Sequence, residues 1–191
     1  MDKQLENTLI KVSEALNKSG ILWSIGASLL LNQYRLADKP SDIDILVSCH
    51  DVDKADYILS EMGRKETSIK NNDVYGTKHF HEYVIESINV DLMADLTIKY
   101  ENRIVSYIFD KKSVPHNFCI RNASIPFSTL EDWFVLYHLM PGKAAKSDLI
   151  YNYLIKNGVK FPDLLERWKD NQELSEAIKQ KINNILLQTT L

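Results

Sequence analysis

The chain has 191 residues, with 23 Lys+Arg against 26 Asp+Glu and a formal net charge of -3. A hydrophobic content of 45% at so low a charge excludes an intrinsically disordered chain. Apolar runs such as Ala27 to Leu31 fall far short of the roughly 18–20 residues a membrane helix needs. The mild acidity argues against a protein that coats DNA or RNA through a broad basic surface. No basic-then-apolar leader opens the sequence, and Cys49 and Cys119 are too few for a disulfide framework, so a reducing, cytoplasmic setting is expected.

In chain order, Leu5, Leu9, Val12 and Leu16 recur at helical spacing, and Gly20 stands where a C-terminal cap belongs. Ile21 to Ile25 reads as a buried strand, ended by Gly26-Ala27-Ser28, with Leu29-Leu30-Leu31 starting a helix. Asp38-Lys39-Pro40-Ser41 is a turn by composition. Asp42 to Val47 reads as a second strand, and Asp51 or Asp53 caps a helix through Met62 that closes at Gly63. From about Thr67 to Ile108 the texture is β-rich, with a turn at Asn71-Asn72-Asp73 and strands over Phe80–Ile85 and Ile88–Met93. Beyond Pro115 the pattern becomes helical. Ser128-Thr129-Leu130-Glu131 fits a capping box, Pro141-Gly142 stops that helix, and three further segments follow: Ala144 to Lys156, then two within Asp163 to Leu187. The expected plan is a front unit over residues 1–115 and a helical C-terminal region over 116–191, joined near 116–127.

Three features carry chemistry. Gly26 allows a sharp turn and a close approach to a ligand, while the first amides of the next helix and the Ser28 hydroxyl offer donors to an anion. Taken alone, such a turn is ordinary packing. Asp42-Ile43-Asp44 places two carboxylates on one face of a strand, since side chains alternate. Like charges so close repel unless a cation sits between them, and Mg²⁺ is a hard ion that takes carboxylates together with phosphates. The bland alternative is an acidic edge strand in water. Asp91 lies inside an apolar strand between Val90 and Leu92, where an acid needs a partner or an ion, and Asp95 is its rival at the strand end.

Taken together, these residues resemble the nucleotidyltransferase superfamily with the polymerase-beta-type fold. The pattern runs through Ile25-Gly26-Ala27-Ser28, thirteen intervening residues, Asp42-Ile43-Asp44-Ile45, and later Val90-Asp91. Ile125 to Asp132 and Lys146 to Leu149 are similar to the helical tail of small bacterial members, which include lincosamide-type antibiotic adenylyltransferases and nucleotidyltransferase-like toxins. The resemblance implies an α+β fold, a mixed β-sheet with flanking helices followed by a small C-terminal helical region. It implies Mg²⁺-dependent transfer of a nucleoside monophosphate from an NTP, ATP first among them, to a hydroxyl acceptor that is a small molecule or a macromolecule. Asp42, Asp44 and Asp91 would be the catalytic and metal-binding acids for two ions, and Gly26, Ala27 and Ser28 would hold the nucleotide. Arg35, shortly after the turn, could reach a triphosphate. In the tail helix His138 stands where relatives often carry Lys, so Lys143 or Lys146 would supply that cation. The alternative is a non-catalytic nucleotide sensor or antitoxin-like interaction protein that retains the fold. Nothing in the sequence requires an oligomer.

His79 and His81 share a strand face but have no cysteine nearby, so a surface or cleft-lining role is expected. Cys49 reads as a bystander thiol, and Trp23, Trp133 and Trp168 as core anchors.

Overall fold

A computed structural model describes residues 1–36, 39–67 and 76–188. The expected turn at Asn71-Asn72-Asp73 lies outside those residues, as does Asp38. Helix α1 (Lys3–Ser19) is capped by Asp2, whose carboxylate accepts from the amides of Gln4 and Leu5. It ends at Gly20, whose φ of 73° is the left-handed geometry that glycine adopts without penalty. Its stripe of Leu5, Leu9, Val12 and Leu16 is fully buried, each side chain contributing roughly 1.5–3 kcal/mol over exposure.

The strands are β1 (Trp23–Ile25), β2 (Asp42–Val47), β3 (Arg64–Lys65), β4 (His79–Ile85), β5 (Ile88–Ala94), β6 (Thr97–Tyr100), β7 (Arg103–Ser106), β8 (His116–Ile120) and β9 (Ala123–Phe127). Between them lie α2 (Ala27–Gln33) and α3 (Val52–Met62). A seven-stranded mixed sheet runs β3-β4-β5-β2-β1-β9-β8, while β6 and β7 form a separate ribbon. The pairs β2·β5 and β1·β9 are parallel and the others antiparallel. Ile43, Ile45, Val90 and Leu92 point to one face, against which α1 and α3 pack.

The segment read as the junction to a helical region is a hairpin. β8 and β9 extend the sheet beside β1, so residues 116–127 are strand and the sheet continues through Phe127. Pro115, Pro126 and the polar Arg121-Asn122 turn interrupt the apolar alternation that would have announced it.

The rest is helical: α4 (Leu130–Leu139), α5 (Ala144–Asn157), α6 (Pro162–Lys169) and α7 (Glu176–Gln188). The cap of α4 falls one residue later than the sequence indicated. Thr129 is the N-cap, its hydroxyl accepting from the Asp132 amide. Ser128 instead donates to the Ile25 carbonyl at 2.9 Å, and Glu131 turns away to accept from the amides of Lys160 and Phe161. Every residue of α4 except His138 is buried, because α2, α5, α6 and β6 of the ribbon all pack against it. Asp51 likewise precedes α3 without capping it by its side chain, which accepts from the Leu22 amide and ties α3 to the entry of β1. Among the described residues, no helix is long and apolar enough to cross a membrane.

Candidate active site

The alternation that buries Ile43 and Ile45 turns Asp42 and Asp44 to the opposite face of β2. The parallel pairing of β2 with β5 then sets Asp44 directly beside Asp91. A cleft of about 450 Å³ opens over them, lined by Asp42, Asp44, Asp91, Ala27 and Ser28 from the sheet side and by Trp133, Tyr137, Met140, Lys143 and Lys146 from the helices. That volume suits a small ligand. Asp91 thus shares one wall with the Asp42–Asp44 pair across 46 intervening residues, and the helical region supplies the facing wall.

Asp44 is open to the cleft on one side and crowded by protein on the others. Burial first, then the neighbouring Asp42 and Asp91 carboxylates, push its carboxyl up to about 7, against the smaller opposing pull of Lys146 and Lys143. Asp42 accepts from the Ser28 hydroxyl at 3.2 Å. Among the described residues, no three His, Cys, Asp or Glu side chains close into a ready coordination group. What joins the three aspartates is one cleft wall and their mutual repulsion. A set of carboxylate oxygens whose charges oppose one another, with lysines opposite, fits a hard divalent cation carrying phosphate.

The turn differs from its simplest reading. Gly26 is extended, at φ -128° and ψ -155°, so the left-handed region does not explain its glycine. Space does: a Cβ there would lie 2.2 Å from Trp133 Cζ2. The indole fills the place of a side chain, and its Nε1–H donates to Ser128 Oγ at 2.6 Å. The sharp turn falls instead on Ala27, at φ 47°, a conformation that costs a residue with a Cβ about 1–2 kcal/mol. The Gly26 amide donates to the Asp44 carbonyl at 3.0 Å, which locks the turn onto β2.

Of the nucleotide-side residues named from sequence, Ala27, Ser28 and Lys146 line the cleft. Arg35 does not. It follows α2 with φ 58° and is exposed, at the opposite end of the helix from the turn. Two helical turns at 1.5 Å per residue carry it roughly 12 Å away. Lys143, the other lysine offered from sequence, lines the cleft too, and Lys39 and Ser41 join it there. Asp95 is exposed beyond the end of β5, at φ 51°, leaving Asp91 as the cleft acid. His79 and His81 lie on the face of β4 opposite Phe80, and it is Phe80 that reaches the cleft, level with Met93. Glu82, not singled out from sequence, pairs in register with Asp91. His138 packs its ring near Tyr100 and Phe134 rather than into the cleft.

Solved structures agree on the scaffold. A Thermotoga maritima protein assigned to the nucleotidyltransferases matches 79% of this chain and 92% of its own, at 21% identity and a TM-score of 0.60. ANT(2'')-Ia, crystallised with adenylyl-2''-tobramycin, matches 85% of this chain and 98% of its own at 15% identity and a TM-score of 0.54. The chain has the nucleotidyltransferase fold. The lincosamide antibiotic adenylyltransferase LnuA, lincomycin-bound, shares this fold at 12% identity and a TM-score of 0.50, over 75% of this chain and 94% of its own. No family model and no curated protein matches the sequence. Within the nucleotidyltransferase fold of this chain, the cleft lies where β2 and β5 run side by side beneath α4 and α5.

Proposed function

We propose that the protein transfers a nucleoside monophosphate from an NTP, with ATP the first candidate, to a hydroxyl acceptor in a Mg²⁺-dependent reaction. The observation that carries this reading is the placement of Asp44 beside Asp91 on parallel neighbouring strands, with Asp42 on the same face and Lys146 opposite. Asp42, Asp44 and Asp91 would hold the metal, which when bound neutralises phosphate charge and orients the phosphates for in-line displacement.

The chain's own groups supply the rest. The turn offers the Ala27 and Ser28 end of its backbone and the Ser28 hydroxyl to the phosphates, the Gly26 amide being held by the Asp44 carbonyl, while Lys39, Lys143 and Lys146 offset their charge from the other walls. Asp91 accepts the proton of the acceptor hydroxyl. That oxygen bonds to the α-phosphorus, the bond from the α-phosphorus to the bridging oxygen of the β-phosphate breaks, and pyrophosphate leaves. Positioning and charge neutralisation dominate such a transfer. Phe80, Met93 and Met140 give the cleft an apolar stretch beside the acids, a surface for a nucleobase or for the body of an acceptor.

The test is label transfer. Wild-type protein with Mg²⁺ and [α-³²P]ATP should pass label to hydroxyl compounds in an acceptor pool, and EDTA should abolish the transfer. Asp44→Ala should abolish it too while leaving the fold intact, because removing one of three crowded charges relieves repulsion in the metal-free protein. Failure of the wild type to bind any Mg-NTP and to label any acceptor would remove the enzymatic reading.

A further inference from the structure

Trp133 and Tyr137 lie four residues apart on α4, so they share one side of the helix, their rings tilted to each other. Their ring centroids are 5.0 Å apart. The Lys146 ammonium of α5 sits 5.2 Å from the Tyr137 ring centroid, within the range of cation–π attraction. At the other end of this column, the Trp133 indole occupies the space that a Gly26 side chain would need and donates to Ser128. All three side chains line the cleft that holds Asp42, Asp44 and Ser28. A continuous line of contacts therefore joins the nucleotide turn to a cleft cation: Gly26, Trp133, Tyr137, Lys146.

We propose that Tyr137 is a positioning residue, whose ring face holds the Lys146 ammonium against the cleft for the phosphates of the nucleotide; this rests on the nucleotide-transfer reading above. A lysine side chain has four rotatable carbons and much to lose on being fixed. In the cleft Lys146 is half-buried, and its proton affinity is lowered by burial and by Lys143, against the attraction of Asp44 and Asp42. The electron-rich ring gives the charge a dry, favourable seat that does not neutralise it as a carboxylate partner would. Trp133 braces the ring from behind, so the turn and the cation keep a fixed separation before nucleotide arrives. The attraction uses the ring and not the hydroxyl, which separates it from a hydrogen-bonding role.

The experiment compares Tyr137→Phe, Tyr137→Leu, Lys146→Met and the Tyr137→Leu/Lys146→Met double variant by calorimetric binding of Mg-ATP, with folding checked by circular dichroism. A ligand-free readout accompanies it: in reductively ¹³C-methylated protein, the Lys146 methyl resonance carries a ring-current shift from Tyr137. Tyr137→Phe should keep that shift and bind within about threefold of wild type, whereas Tyr137→Leu should lose the shift and weaken binding by about 3- to 30-fold. In the Lys146→Met background, Tyr137→Leu should change binding no further. The inference is overturned if Tyr137→Leu binds as wild type, if Tyr137→Phe loses as much as Tyr137→Leu, or if the losses simply add in the double variant. Wild-type protein that shows the ring-current shift but binds no Mg-ATP would overturn the nucleotide-transfer reading, and this role with it, while leaving the Tyr137–Lys146 contact standing.

Discussion

Gly26 and Trp133 share one space: the indole lies where a glycine Cβ would be, at 2.2 Å from its ideal position. The glycine of the turn is thus required by the helix that packs over it. A β-strand, a tight turn and the first helix of the C-terminal region are fitted to one another before any ligand is bound.

Gly26→Ala should therefore destabilise the protein by overpacking, by about 1–3 kcal/mol. Trp133→Leu should also destabilise, by leaving a cavity and removing one of the two hydrogen bonds of the Ser128 hydroxyl. Combined, the two should cost clearly less than their sum, since the smaller side chain makes room for the methyl. Urea unfolding of the four proteins in a double-mutant cycle measures this coupling.

Ala27 gives the opposite sign. Its φ of 47° is one that glycine adopts freely and alanine does not. Ala27→Gly should raise stability by about 0.5–1 kcal/mol, relief of strain outweighing the extra freedom of the unfolded chain. Ala27→Val should lower it by more than that. Thermal melts of both variants decide the matter.

Asp44 couples stability to pH. Its folded carboxyl sits at about 7 against an ordinary value of 3.8, so the folded state binds more protons than the unfolded state between those values. Stability from this group is then highest at low pH and is lost as pH rises through about 7. Asp44→Asn, which cannot ionise, should melt above wild type at pH 8 in metal-free buffer. The gap should shrink as pH falls from 7 toward 4. Scanning calorimetry across that range tests it, and a constant gap would contradict it.

A second buried acid, Asp132, holds the C-terminal helices to the β6–β7 ribbon. It accepts from Tyr107 at 2.9 Å and from Trp168 Nε1 at 2.8 Å, with Arg167 3.6 Å away. Burial pushes its carboxyl up to about 6 despite the Arg167 charge. Arg167→Leu would strand the ionised carboxylate and should cost about 3 kcal/mol or more at pH 7.5. At pH 5 the folded Asp132 is protonated, so the loss should be visibly smaller. Urea midpoints at the two pH values give the comparison.

The acids of the cleft were readable because alternation along a strand is a short-range property: Asp42, Asp44 and Asp91 declare their face through Ile43, Ile45, Val90 and Leu92. Their union was implied only by the resemblance and by no local pattern, since it depends on the parallel register of β2 with β5 across 46 intervening residues. The hairpin of β8 and β9 was hidden by its prolines, and the tight turns at Glu86-Ser87 and Glu101-Asn102 take left-handed φ without the glycine that usually marks them. Arg35 looked close to the turn in sequence, yet the helix between them separates the two in space. Lys39 and Phe80 carry no local pattern at all; only the packing of the chain around the sheet brings them to the cleft that Lys143 and Lys146 also line. Trp133 was legible as a core anchor, being 1% exposed, but its second role at Gly26 follows from a contact between elements far apart in the chain.

The most direct test of the central claim is a crystal structure of the protein with Mg²⁺ and a non-hydrolysable ATP analogue. The account predicts the triphosphate in the cleft between the Gly26–Ser28 turn and Lys146, with metal on Asp42, Asp44 and Asp91. A nucleotide bound elsewhere, or a cleft whose three aspartates take up no metal in its presence, would contradict it.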